Sequence, residues 1–291
     1  MSFIRRRSSI AHFRAIALVG AASAATSIAA GVAHADGRLA ARYTMSVGGV
    51  PVGKSDLKVA IGSIEYAVSV SGHASGMLRA LVSGEGSLTT RGAIVDGHLV
   101  PTTFSSSTSE ADHKAEVTMT LDGGIVKDLS TETGSSAADR VALTAEHRKG
   151  VIDPMTALLV TVDGAGDVIG PDACQRTLPI FDGRRRYDLK LSFRRIDSVQ
   201  TERGYRGQAV VCGVTFQAIA GHRASSPLVK YLADGRDIEL ALAPIAGTRV
   251  LAPFRLSVTS MLGNMVIEAA EFETTLTISI RAALPTNVMV Q

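Results

Sequence analysis

The chain has no tryptophan, and only two of its 291 residues are cysteine. Aromatic side chains make up 4 % of it, so a buried core must be assembled from Val, Leu, Ile, Ala and Met. His-Glu-x-x-His and Gly-x-Ser-x-Gly are both missing, which removes the usual signatures of a zinc hydrolase and of a serine nucleophile elbow. Gly72-His73-Ala74-Ser75-Gly76 matches the latter only superficially. The glycines from Gly164 to Gly170 have the wrong spacing for a dinucleotide loop and no strand-loop-helix unit around them. No Cys-x-x-Cys occurs, and His73, His98, His113, His147 and His222 are scattered singly, so no metal and no cofactor are expected. Nothing gathers a nucleophile, a base and an orienting group, and binding is favoured over catalysis.

The N-terminus is where charge and hydrophobicity are concentrated. Arg5, Arg6, Arg7 and Arg14 precede an Ala-rich apolar run, and Ala33-His34-Ala35 supplies the small residues of a peptidase site. This order predicts a secretory signal peptide over residues 1–35. An uncut membrane anchor is the alternative, but Ser23, Thr26 and Ser27 interrupt the run. The export route, general secretory or twin-arginine, is left open. Four of the 30 basic residues and none of the 27 acidic ones lie in this segment, leaving 26 against 27. The high isoelectric point thus reports the leader and does not indicate a nucleic-acid partner. No later run is long enough to span a membrane, and the expected location is the bacterial periplasm.

Residues 36–291 are expected to form a single β-rich domain. Tyr43, Met45 and Val47, then Leu57, Val59 and Ile61, then Tyr66, Val68 and Val70 alternate with polar residues between Gly-rich turns, the pattern of an antiparallel meander. Met77, Leu78, Leu81 and Val82 are spaced for a short helix. Further strands are expected over 87–91, 98–106, 114–121, 208–219, 238–244, 254–260, 265–272 and 275–280, and residues 130–140 read as a flexible loop. Asp153 can cap a short helix that Pro154 opens, with Met155, Leu158, Leu159 and Val162 on one face, plugging the concave side of the sheet. Another helical turn fits 225–235. About a dozen strands with two or three short helices give an all-β class, a strongly curved antiparallel sheet or open β-barrel.

Asp182-Gly183 between two extended runs predicts a hairpin with a tight type I′ turn. Beyond it Tyr187, Leu189, Leu191 and Phe193 form an apolar row, and Val210, Cys212, Val214 and Phe216 form another. Two cysteines in an oxidising compartment are read as a Cys174–Cys212 disulfide; a buried thiol at Cys212 is the alternative. Arg184, Arg185 and Arg186, with Lys190, Arg194 and Arg195, could hold phosphate or carboxylate groups, or could be a solvated face balanced by Asp182, Asp188 and Asp197.

The run from Cys174 through Arg-Thr-Leu-Pro-Ile-Phe-Asp-Gly-Arg-Arg-Arg-Tyr-Asp-Leu, with the second cysteine and Ala218 to Gly221, resembles a bacterial envelope family catalogued as domain of unknown function 3108. Residues 153–159 and 250–254 also resemble it. That resemblance implies fold and location and supplies no chemistry. Two functions remain open. One is a non-catalytic carrier whose concave face holds a lipid-like or other apolar ligand; the other is a filled-core protein acting through its surface in envelope assembly.

Overall fold

A computed structural model describes residues 33–74, 84–110, 113–131, 139–234, 237–259 and 263–280. Seven strands open the fold as a meander: β1 (Ala33–Val47), β2 (Val50–Ile61), β3 (Glu65–Ala74), β4 (Gly84–Val95), β5 (His98–Glu110), β6 (His113–Asp122) and β7 (Ile125–Thr131). Three of their hairpins turn in two residues that both have positive φ, Gly48-Gly49, Asp96-Gly97 and Gly123-Gly124, as type I′ geometry requires. Residues 139–175 then cross over with little regular structure beyond single 3₁₀ turns and β8 (Val160–Thr161). The second half supplies β9 (Arg176–Phe181), β10 (Arg186–Gln200), β11 (Arg203–Gly204), β12 (Arg206–Ala220), helix α1 (Pro227–Ala233), β13 (Ile238–Pro244), β14 (Val250–Val258) and β15 (Met265–Ile280).

All of these strands belong to one sheet, ordered β7-β6-β5-β4-β3-β2-β1-β15-β14-β13-β12-β10-β9, that is not closed into a barrel. The long strand β15 brings the two halves together, pairing antiparallel with β1 over its whole length and with β14 at its start. It runs unbroken through residues 272–275, where the sequence pattern suggests two strands. A bulge opposite Arg42 and Tyr43 keeps its buried side chains facing inward. β7 was not among the expected strands: its residues alternate with half-buried rather than fully buried positions, a weak signal at a sheet edge.

Strands β1 to β6 bury one face only. Leu39, Leu57, Val59, Val68, Phe104 and Met119 face inward and are almost wholly buried. Strands β12, β13 and β14 are buried on both faces. Ala209, Val211, Ala241 and Phe254 join the inner cluster, while Val210, Cys212, Leu242, Leu251 and Val258 form a second cluster on the outer side. The crossover covers that second cluster with Val160, Val162, Ala173 and Cys174, and Leu232 of α1 adds to it. A two-sided cover accounts for the near-continuous apolar runs in these strands.

Three expectations are corrected. The β9–β10 connection holds four residues and is not a type I′ turn: Gly183 has a φ of 89°, but Asp182 is not in the positive region. Instead, the Asp182 carboxylate accepts from the amides of Arg184 (2.8 Å) and Arg185 (2.6 Å), a side-chain turn that replaces the backbone one. Gly183 is needed for space as well, since a Cβ there would sit 2.4 Å from Val117 on β6. Phe193 keeps the register of the row, opposite Cys212, but is 38 % exposed and not part of the core, and a bulge between Phe193 and Arg195 ends the row there. Val162 does not share a helix face with Met155, because the helical segment is a single 3₁₀ turn, Thr156–Leu158, followed directly by β8. The helix expected near 76–84 and most of the 130–140 loop and of the leader lie outside the described residues. β1 starts at Ala33, so cleavage after Ala35 would remove only its first three pairings with β15.

Cys174 and Cys212 form a disulfide with Cα atoms 5.4 Å apart, tying the crossover to β12 across 38 residues of chain. Restricting an unfolded loop of that length is worth about 4 kcal/mol in the loop-entropy model. Reduction is therefore expected to lower Tm by roughly 10 °C. Calorimetry with and without reductant checks this, and an unchanged melt would contradict it.

Candidate functional site

Residues 151 and 152 of the crossover link the β6–β7 turn to the edge strand β9. The Val151 amide donates to Gly124 O at the β6–β7 turn (3.0 Å). On the other side, the Ile152 amide donates to Pro179 O (2.9 Å) and Ile152 O accepts from the Phe181 amide (3.0 Å), a parallel bridge to β9. The chain then turns inward at Asp153-Pro154, where proline at the start of a helical turn loses no hydrogen bond. Met155 and Leu159 are buried in the inner cluster and Leu158 packs against it.

Asp153 fixes that inward turn. One carboxyl oxygen accepts from the amides of Met155 (2.8 Å) and Thr156 (3.1 Å), the capping pattern of a helical N-terminus. The other accepts from the hydroxyls of Thr156 (2.5 Å) and Thr90 on β4 (3.0 Å). Thr156 also bonds the Tyr66 hydroxyl of β3 at 2.6 Å, and the single Thr90 proton is shared between Asp153 and Thr103 O of β5 (2.7 Å). One side chain thereby connects the crossover to strands β3, β4 and β5. Asp153 is 0 % exposed with no ion-pair partner among the described residues, and burial raises its pKa against the hydrogen bonds from Thr156, Thr90 and Met155 that lower it. The Tyr66 phenol is likewise raised by burial.

Chemically this cluster places a hydroxyl beside a carboxyl, with Thr156 3 % exposed and Asp153 wholly buried. It has the character of a structural pin. Among the described residues no group of three His, Cys, Asp or Glu side chains is gathered to hold a metal.

The hairpin arginines are engaged separately. Arg184 reaches Glu116 O on β6 (3.4 Å), Arg186 is ion-paired with Asp188 and donates to Tyr187 O (2.7 Å), and Arg185 is exposed. Farther along β10, Arg195 forms a two-pronged pair with Glu239 (2.6 and 2.8 Å) and also meets Asp197, while Arg194 meets Asp237. Much of that charge is neutralised on the protein itself. The open recesses lie elsewhere, on the outward face of β1 to β4 and β15, where grooves of about 530 and 470 Å³ share Arg38, Ala60, Ala67 and Arg91. The sequence reading did not single out these residues. Among the described residues, no helix is long and apolar enough to cross a membrane.

Replacing Asp153 by Ala strands the amides of Met155 and Thr156 in the interior, leaves the Thr90 and Thr156 hydroxyls only their bonds to Thr103 O and Tyr66, and is expected to cost about 3 kcal/mol. Asp153→Asn keeps an acceptor for the amides and removes the ionisable group. Because the folded-state pKa is raised, the wild type has a stabilising contribution that is full below the unfolded value, about 3.9, and is lost as pH rises through the folded pKa. Urea unfolding should therefore show the Asn variant gaining on the wild type as pH rises above about 4. A pH-independent difference would contradict this.

The model of a family described as "Protein of unknown function (DUF3108)" matches residues 42–270. No curated protein matches. A crystal structure of a beta-barrel-like protein of domain of unknown function DUF1849 from Brucella abortus is similar with a TM-score of 0.46 and 9 % identity, covering 82 % of this chain and 98 % of that one. Nothing is carried from it to this chain.

Proposed function

The chain belongs to the DUF3108 family, and from that premise we propose that it is an exported, non-catalytic protein of the bacterial periplasm that works through its outer surface, with a filled interior. The observation that carries this reading is the burial of the inward side chains. Phe104, Phe181, Phe254, Phe272 and Met119 are each at most 1 % exposed, whereas side chains lining a hollow large enough for a ligand would retain accessible surface. The crossover fills the concave side with Met155 and Leu159, and the rings of Tyr205, Phe254 and Phe272 pack together at 5.7 to 6.3 Å. Export is supported by the leader-like N-terminus and by a disulfide that an oxidising compartment would maintain.

A carrier of an apolar or lipid-like ligand is the second reading. Its support is that Val70, Leu88 and Ile267 at one end of the inner face are only partly buried. Native mass spectrometry of the protein purified from its own periplasm, with titration of a fluorescent fatty acid, separates the two. A clean apo mass without uptake is expected. Co-purifying lipid or stoichiometric uptake would contradict the filled-core reading.

A further inference from the structure

We propose that the outward groove across β15, β1, β2, β3 and β4 binds an anionic saccharide, a sugar chain bearing carboxylate or phosphate groups. The inference rests on the surface-acting reading above and names the ligand class for it. The groove encloses about 530 Å³ over a floor of Ala40, Ala60 and Ala67. Strand register sets Arg38, Ala60, Ala67 and Arg91 side by side on adjacent strands, so the two arginines stand about 14 Å apart. Lys58 lies two residues along β2 from Ala60, about 7 Å away on the same face.

These three cations have no ion-pair partner among the described residues, in contrast to Arg42 farther along β1, which is held by Asp56 and Glu271. Glu273 is the one acid lining this groove, so the groove itself has an excess of positive charge, while Asp36 and Glu65 line the adjoining recess that shares its two arginines. Guanidinium forks suit the planar oxygens of carboxylates and the oxygens of phosphates. A single small ion could not span all three positions, whereas a chain with repeated charges could.

The remaining surface distinguishes among polyanions. The 470 Å³ recess continues from the same arginines with Asp36 and Glu65 in its lining, and one of about 220 Å³ continues past Thr89 along Ser87, Ser105 and Ser107 to Glu116, so the depressions run on as a track whose central groove alone seats the charged groups and whose ends suit neutral sugar units. Alanine methyls offer a flat seat for the C–H faces of sugar rings, and the Ser and Thr hydroxyls offer donors and acceptors to theirs. No exposed aromatic ring lines the track, and a nucleic-acid strand would need such platforms for its bases. Acyl chains find no slot, because Leu39, Val59 and Val68 of these strands point inward and are buried.

Isothermal titration with tetragalacturonate, its neutral methyl ester, a phosphorylated mannan oligosaccharide, inorganic phosphate and phosphatidylglycerol vesicles tests this. At least one charged oligosaccharide should bind, and the ester should not. Arg38→Ala and Arg91→Ala should each weaken binding by about tenfold without changing the melt, Lys58→Ala should weaken it less, and Arg194→Ala should leave it unaltered. The proposal is overturned if neither charged oligosaccharide binds, if the groove substitutions do not weaken binding, or if phosphate or vesicles bind as tightly. Fatty-acid uptake would sink the filled-core reading while leaving these titrations interpretable, so the two failures are distinguishable.

Discussion

A buried carboxyl that accepts four hydrogen bonds holds this fold together. The sheet ends at β7 and β9, and each edge carries backbone groups that need partners. Ile152 supplies two of them on β9, and Val151 holds the same segment to Gly124 O of the β6–β7 turn. That short connection is useful only if the chain on either side is fixed, and Asp153 fixes it by satisfying the amides of the next turn and the hydroxyls of Thr156 and Thr90 together. Desolvating a carboxyl is costly, and the hydrogen bonds from Thr156, Thr90 and Met155 offset part of that cost. The crossover is thus both the bridge from the β6–β7 turn to β9 and the filling of the sheet's concave side.

The same segment has a second task. After leaving the interior it pairs with β14 through β8, then spreads over the outer faces of β12 to β14, where the disulfide retains it. The second half of the sheet is consequently buried on both faces while the first half keeps one face open to solvent. This asymmetry leaves the outward side chains of β1 to β4 exposed to solvent.

Much of the fold can be read locally. Alternation at Leu57, Val59 and Ile61 or at Val210, Cys212 and Val214 marks strands because each side chain's face follows from period two. Asp153-Pro154 is legible as the opening of a helical turn for the same local reason. What local patterning could not reveal depends on register between distant strands. Asp153 reads as a cap, but Thr90 and Tyr66 come from strands some 60 to 90 residues away. Arg38, Lys58 and Arg91 are unremarkable singly and share a groove only through three strand pairings. Conversely, the dense Arg184 to Arg186 run draws attention in the sequence, yet folding sends Arg184 to β6 and Arg186 to Asp188.

The central claim is that residues 151 to 153 are part of the sheet's hydrogen-bonded girdle rather than a surface loop. Native-state hydrogen exchange resolved at single amides tests it most directly. The amides of Val151, Ile152 and Phe181 should be protected to the same degree as those of the central strands β1 and β15 and exchange with them. Exchange of Val151 and Ile152 at the rate of an open loop, while β1 and β15 stay protected, would contradict the account.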